Sequence, residues 1–199
     1  PLVVLFNNAS QLKMAVDALL PIANSAESPE ALNHVYFQQL EINTVWLRDF
    51  GPIFAEQKTG AMAIDFFYSG ERPMDDRFPE RWSEKVGSEH NSVPWTLQGG
   101  NLLSNGEGLA ITTTRIFDDN KIQFNVTPGR ESRREDSRAF VINEIKKYTH
   151  LDQIVVLEPL QHEATRHVDM FATFLDRDRV LVAELDARRD PVNARILDR

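Results

Sequence analysis

An α/β domain assembled from a repeated strand, hairpin and helix unit is the architecture these 199 residues predict. Runs with a two-residue hydrophobic period alternate with runs at helical spacing. Two pairs of strand-like runs are joined by turn-forming residues. The whole pattern recurs about three times at a spacing of roughly 60 residues, longer than solenoid repeats and compatible with blades of a propeller-like array. No Pro/Gly/Ser-rich linker divides the chain, so residues 1–199 read as a single domain. Because it opens on Pro1 without a Met and closes in "PVNARILDR", the expectation is a domain cut from something longer.

The first element, "LVVLF", is a short β-rich run, and Ala9 to Leu20 carries Leu12, Ala15, Leu19 and Leu20 at helical spacing. "HVYFQQL" and "TVWLRD" read as strands. "GPIFAEQKTGAMAIDFF" reads as a hairpin turning at Lys58-Thr59-Gly60. "NLLSNGEGLAITTT" reads as a second, with Asn105-Gly106 as its turn. Residues 71–93, rich in charge and proline, read as a loop running into a helix. Ser132 to Tyr148 reads as a helix with Phe140, Ile142 and Ile145 on its inner stripe. A strand, "QIVVLEPL", and a hairpin, "HVDMFATFLDRDRVLVAEL", complete the pattern.

Composition narrows the function classes. With 30 acidic and 22 basic residues spread along the chain, the net charge of -8 argues against a nucleic-acid partner and suits a cationic ligand. No apolar run approaches the roughly 20 residues of a membrane helix, and the first residues lack a basic leader, so no membrane partner and a cytoplasmic location are expected. Asn8-Ala9-Ser10 and Asn125-Val126-Thr127 match a glycosylation pattern too short to carry weight. The chain contains no cysteine, which excludes disulfides, thiolate metal sites and thiol nucleophiles within these residues.

Three stretches carry chemistry. In "TVWLRDFGPIF", a Trp46 face and the Asp49 carboxylate could together grip a planar cation, although an internal Arg48 to Asp ion pair on a strand end accounts for the same residues. In "LQGGNLL", Gly99-Gly100 allows close approach of backbone or ligand, although a β-bulge is the plainer account. In "EATRHVDMFATF", His167 and Asp169 would share one face of a strand, as an acid-base pair or as a structural hydrogen bond. The segment "HEATRH" imitates a zinc helix, but His162 and His167 are five apart and would diverge by roughly 140° on a helix. No metal or cofactor is expected.

Taken in this order, Trp46-Leu47-Arg48-Asp49-Phe50-Gly51-Pro52, then Gly99-Gly100-Asn101 leading to Asn105-Gly106-Glu107-Gly108, then Arg166-His167-Val168-Asp169, the sequence resembles the agmatine deiminase and Porphyromonas-type peptidylarginine deiminase family of the guanidine-modifying superfamily. The resemblance implies a pentein-type α/β propeller of five ββαβ blades, of which about three are expected here. It also implies hydrolysis of a guanidinium, in agmatine or an arginine side chain, to a ureido product and ammonia. Asp49, His167 and Asp169 are then the expected catalytic residues, with Trp46, Gly100 and Asn101 binding substrate. The expected partner is a small guanidino compound or peptidyl arginine, with a homo-oligomer or a further C-terminal segment covering the blade edges.

The departures matter as much. The family's nucleophile lies in a C-terminal cysteine segment that has no counterpart in these residues, so the thiolate is expected from outside them. Arg166 stands where the motif has Gly, placing a bulky cation beside His167 that would repel a cationic substrate. Gln98 stands where Glu is often found. A non-catalytic guanidino-binding or interaction protein on the same fold is the alternative reading.

Overall fold

In this computed structural model, which describes residues 2–23, 31–58, 60–120 and 134–198, the first strand, β1 (Leu2–Phe6), lies parallel to β2 (Val35–Gln39). Parallel neighbours need a crossover, and α1 (Ala9–Ala23) lies in it. One helical turn, α2 (Leu47–Phe50), leads to a complete ββαβ unit. Its strands β3 (Ile53–Gln57) and β4 (Gly60–Phe67) are antiparallel, and after α3 (Pro73–Asp76) and α4 (Phe78–Val86), β5 (Glu89–Thr96) returns parallel to β4. A second unit repeats the order with β6 (Leu103–Ser104), β7 (Leu109–Thr113), α5 (Arg115–Asp119), α6 (Arg134–Thr149) and β8 (Gln153–Leu157). The antiparallel pair β9 (Ala172–Phe174) and β10 (Val180–Val182), then α7 (Pro191–Leu197), follow. The three repeats expected from spacing are therefore two whole units among the described residues, flanked by parts of two others.

Each hydrophobic cluster lies between neighbouring units. Phe50, Tyr68 and Phe78 pack with Leu5 and Leu40, joining the first sheet to the second. Met62, Ile64, Val93 and Trp95 pack against Ala110, Ile116, Val141 and Ile145, joining the second to the third. Leu103 and Ile111 pack against Val168, Phe171 and Ala172, joining the third to the last hairpin. Apolar burial between units is what fixes their relative placement, and the polar segments caught at these seams make the candidate site.

Several local expectations change. "TVWLRD" is not a strand: Val45, Trp46 and Leu47 are all exposed, and the bonds Asp49 N–H to Trp46 O and Gly51 N–H to Leu47 O close a helical turn. Tertiary anchoring overrides β-propensity there. Residues 89–93 belong to β5 rather than to a loop. In α6 the inner stripe is Val141, Ile145 and half-buried Tyr148, whereas Phe140 lies outside, edge-on to Trp95. The chain's last segment forms α7, capped by Asp190 accepting from the Asn193 N–H, with Pro191 in the first turn. Thr59, the Ser132 start of the expected helix and the Asn125 pattern lie outside the described residues. No helix among the described residues is long and apolar enough to cross a membrane.

Candidate functional site

The segment preceding α2 is held by Asp75, a fully buried carboxylate that accepts from Asn43 N–H at 2.7 Å, Thr44 N–H at 3.2 Å and the Thr44 hydroxyl at 2.7 Å. The helical turn then separates two adjacent charges. Successive residues in a helix diverge by about 100°, so Arg48 points outward, its side chain 59% exposed, while Asp49 turns inward. Trp46, immediately before the turn, keeps 58% of its surface exposed.

Gly99, Gly100 and Asn101 form a single 3₁₀ turn rather than the expected strand or bulge. Both glycines are there for close approach. A Cβ on Gly99 would run into the Arg48 carbonyl oxygen, so the turn packs directly on α2. A Cβ on Gly100 would lie 2.5 Å from His167 Nδ1, 2.6 Å from Asp49 Oδ1 and 2.9 Å from Asp169 Oδ2. Three side chains separated by up to 120 positions (169 − 49) thus meet over one hydrogen atom. Asn101 lies behind them, fully buried. Its Oδ1 accepts from Thr113 N–H and Oγ1, and its carbonyl accepts from the Thr112 hydroxyl.

His167 is 3% exposed in its side chain. It is extended, and Val168–Met170 form a 3₁₀ turn, so the expected strand alternation is replaced by a tight turn whose apolar anchor is fully buried Val168. Every side of the ring's segment is tied. Glu163 accepts from the backbone N–H groups of Thr165 and His167, and Gln98 Oε1 lies 2.9 Å from Nε2. Arg115, paired with Asp119 and donating to the Thr165 carbonyl, places Nη1 at 3.3 Å from the same nitrogen. The Thr113 hydroxyl also contacts the Arg166 carbonyl at 2.8 Å, linking the glycine turn to the histidine segment. With Nε2 enclosed, Nδ1 is the nitrogen turned to the cluster, 3.4 Å from Asp49 Oδ1.

Burial, with the Asp49 carboxylate adding to it, pushes the Asp169 carboxyl above its ordinary value despite the opposing pull of His167 and Arg48. Burial pushes the Glu163 carboxyl the same way, but the hydrogen bonds from Thr165, Arg166 and His167 outweigh it and hold the group below its ordinary value. Arg48 Nε lies 3.6 Å from Asp169 Oδ2. Through Arg48 and Gly99 the cluster adjoins an open cavity of about 430 Å³, lined also by Phe54, Leu102 and Phe174. Arg166 does not face the cluster as a loose cation. Its guanidinium pairs with Asp118 at 2.8 Å, and its φ of +57° is the left-handed conformation that glycine adopts freely.

A family profile described as Porphyromonas-type peptidyl-arginine deiminase matches residues 1–198. The chain belongs to that family. A candidate agmatine deiminase of Selenomonas ruminantium is 25% identical over 203 residues, 89% of this chain and 51% of that protein. The chain spans about half the length of the curated relatives it matches. Among solved structures, C. jejuni agmatine deiminase superposes with a TM-score of 0.70 at 20% identity, covering 98% of this chain and 53% of that one. A candidate arginine deiminase of Porphyromonas gingivalis gives 0.69 at 23%, covering 98% and 55%. The fold is that of these deiminases, the pentein-type propeller-like α/β fold.

Of the sequence-derived site residues, the structure brings together Asp49, Gly100, His167 and Asp169, sets Asn101 behind them, and leaves the Trp46 ring largely in solvent. Gln98, Arg115 and Glu163 were not singled out as supports of His167. Gln98 adjoins a motif glycine and Glu163 an ST-type turn, but nothing near Arg115 in sequence marks it. Its partner lies 52 positions away.

Proposed function

We propose that these residues supply the guanidinium-binding and proton-transfer part of a deiminase that converts agmatine or an arginine side chain to a ureido product and ammonia. The observation that carries the reading is the convergence of Asp49 Oδ1, His167 Nδ1 and Asp169 Oδ2 on Gly100. Two carboxylates at one point match the N–H fork of a guanidinium, and ionised acceptors bind it more strongly than neutral ones. Trp46, exposed and immediately before the turn that carries Asp49, is the aromatic face available to a bound cation.

The chemistry requires a thiolate, and the chain has no cysteine, so the nucleophile belongs to residues beyond these 199. In support, a cysteine-to-serine variant of the C. jejuni agmatine deiminase is known with its substrate bound. The thiolate adds to the guanidinium carbon, and the C–N bond breaks as His167 Nδ1 gives a proton to the departing nitrogen, which leaves as ammonia. Water then adds to the same carbon and loses a proton to His167. The C–S bond breaks, returning the thiolate and releasing the ureido product.

The test is ammonia release. The 199-residue chain alone releases none from agmatine or peptidyl arginine, because general acid-base help of about 10²- to 10⁴-fold does not replace a nucleophile. A longer polypeptide that includes these residues and a cysteine turns over, and its Asp49→Ala variant does not. A folded, cysteine-bearing polypeptide that consumes neither substrate overturns the reading in favour of a non-catalytic guanidino-binding protein.

A further inference from the structure

Asp169, the more open of the two converging carboxylates, already faces a guanidinium. Arg48 Nε lies 3.6 Å from its Oδ2, and the side chains are 59% and 26% exposed. Asp49 and Asp169 do not share that partner equally. Asp49 contacts His167 Nδ1, whereas Asp169 is the group on which Arg48 sits. Arg48 and Asp49 are neighbours on one helical turn that sends the arginine outward and the aspartate inward, so the arginine reaches the cluster from the solvent side. The cavity that adjoins the cluster has Arg48 in its wall, together with apolar Leu47, Phe54, Leu102 and Phe174.

We propose that Arg48 is a resident guanidinium that competes with an incoming guanidino ligand for Asp169, and so sets the affinity of the site. The inference rests on the guanidinium-binding reading given above. A ligand that reaches both carboxylates displaces Arg48, whose aliphatic stem then lies along the apolar wall while its head stays in water. Displacement is cheap because Arg48 is itself exposed and its contact with half-buried Asp169 is long, at 3.6 Å. The displaced cation remains close to the ligand's own charge, which continues to weaken binding. Arg48 therefore acts against weak cations and lets through those that engage Asp49 and Asp169 at once.

Calorimetric titration of the protein with agmatine, beside R48Q, R48K and D49N, tests this. The expected result is that R48Q binds agmatine about 2- to 5-fold more tightly than the parent, the range of one exposed ion pair. R48K, which keeps the charge, stays within about twofold of the parent, D49N binds much more weakly, and R48Q melts at the parent's temperature because the side chain is exposed. Binding by R48Q that equals or falls below the parent's, with the parent binding agmatine in a D49N-sensitive way, overturns the competitor role and leaves the site reading standing. Absence of binding by both parent and R48Q overturns the two together.

Discussion

Replacing Gly100 by alanine puts a methyl carbon 2.5 Å from His167 Nδ1, 2.6 Å from Asp49 Oδ1 and 2.9 Å from Asp169 Oδ2. Against ordinary contact at 3.4 Å, the shortfalls are 0.9, 0.8 and 0.5 Å. The two carboxylates are the ends of short, partly exposed side chains and can turn away. His167 cannot, since its side chain is 3% exposed and its Nε2 is enclosed by Gln98 and Arg115. Overpacking of this size costs about 1–3 kcal/mol of stability, which leaves the protein folded. The carboxylates, however, leave the geometry that grips a guanidinium. Each charge-assisted hydrogen bond is worth about 1.5–3 kcal/mol, so losing one lowers agmatine affinity by about 10- to 100-fold. Urea unfolding gives the first quantity and calorimetric titration the second. A Gly100→Ala protein with parental stability and parental agmatine affinity would refute the convergence on which the site rests.

Asp75→Ala removes the acceptor for two backbone N–H groups and a hydroxyl ahead of α2, and should cost about 3 kcal/mol in urea unfolding, with agmatine binding weakened as Asp49 loses its anchorage. Arg166→Gly should bind agmatine within about twofold of the parent, because the Arg166 head is held by Asp118, and should change stability by no more than about 1 kcal/mol as backbone relief offsets the lost pair. Acidification separates two carboxyls. The folded state binds the Asp169 proton more tightly than the unfolded chain does, so this group's stabilising contribution is full below its unfolded value and fades as pH rises through its raised folded value. Guanidinium binding runs the other way, since it needs the ionised form, and agmatine affinity should fall on acidification before an ordinary aspartate would protonate. Glu163, held low, is ionised throughout that range, and its contribution is lost only as pH falls through its own depressed value, so the His167 segment stays clamped while the ligand is released. Titration calorimetry at a series of pH values should show this loss, with Asp169→Asn weak throughout.

What could be read from the sequence was what short-range patterning encodes. The antiparallel β3–β4 pair and the turn at Asn105-Gly106 both follow the pattern, and the Asn105 side chain accepts from Glu107 and Leu109 N–H groups as that turn chemistry requires. Trp46 to Pro52 was legible as a motif and illegible as a conformation. Its β-rich composition points to a strand, and only the distant Asp75 clamp and the close seat on Gly99 turn it into a helix. His167 and Asp169 are expected on one face of a strand, and the structure instead brings them together through an extended His167 followed by a 3₁₀ turn. Arg166 was read as an obstacle because its charge is visible in the sequence, whereas its φ and its partner Asp118 are not. Arg115 escaped notice for the same physical reason: its role exists only once β7, α5 and the 161–167 segment are packed together.

The most direct test is a crystal structure of the protein with agmatine bound. The expected density places the guanidinium carbon over Gly100, with its nitrogens about 2.7–2.9 Å from carboxylate oxygens of both Asp49 and Asp169, His167 Nδ1 turned toward it, and Arg48 moved off Asp169. Agmatine bound elsewhere at saturation, with Arg48 still on Asp169 and the three side chains unliganded, would contradict the account.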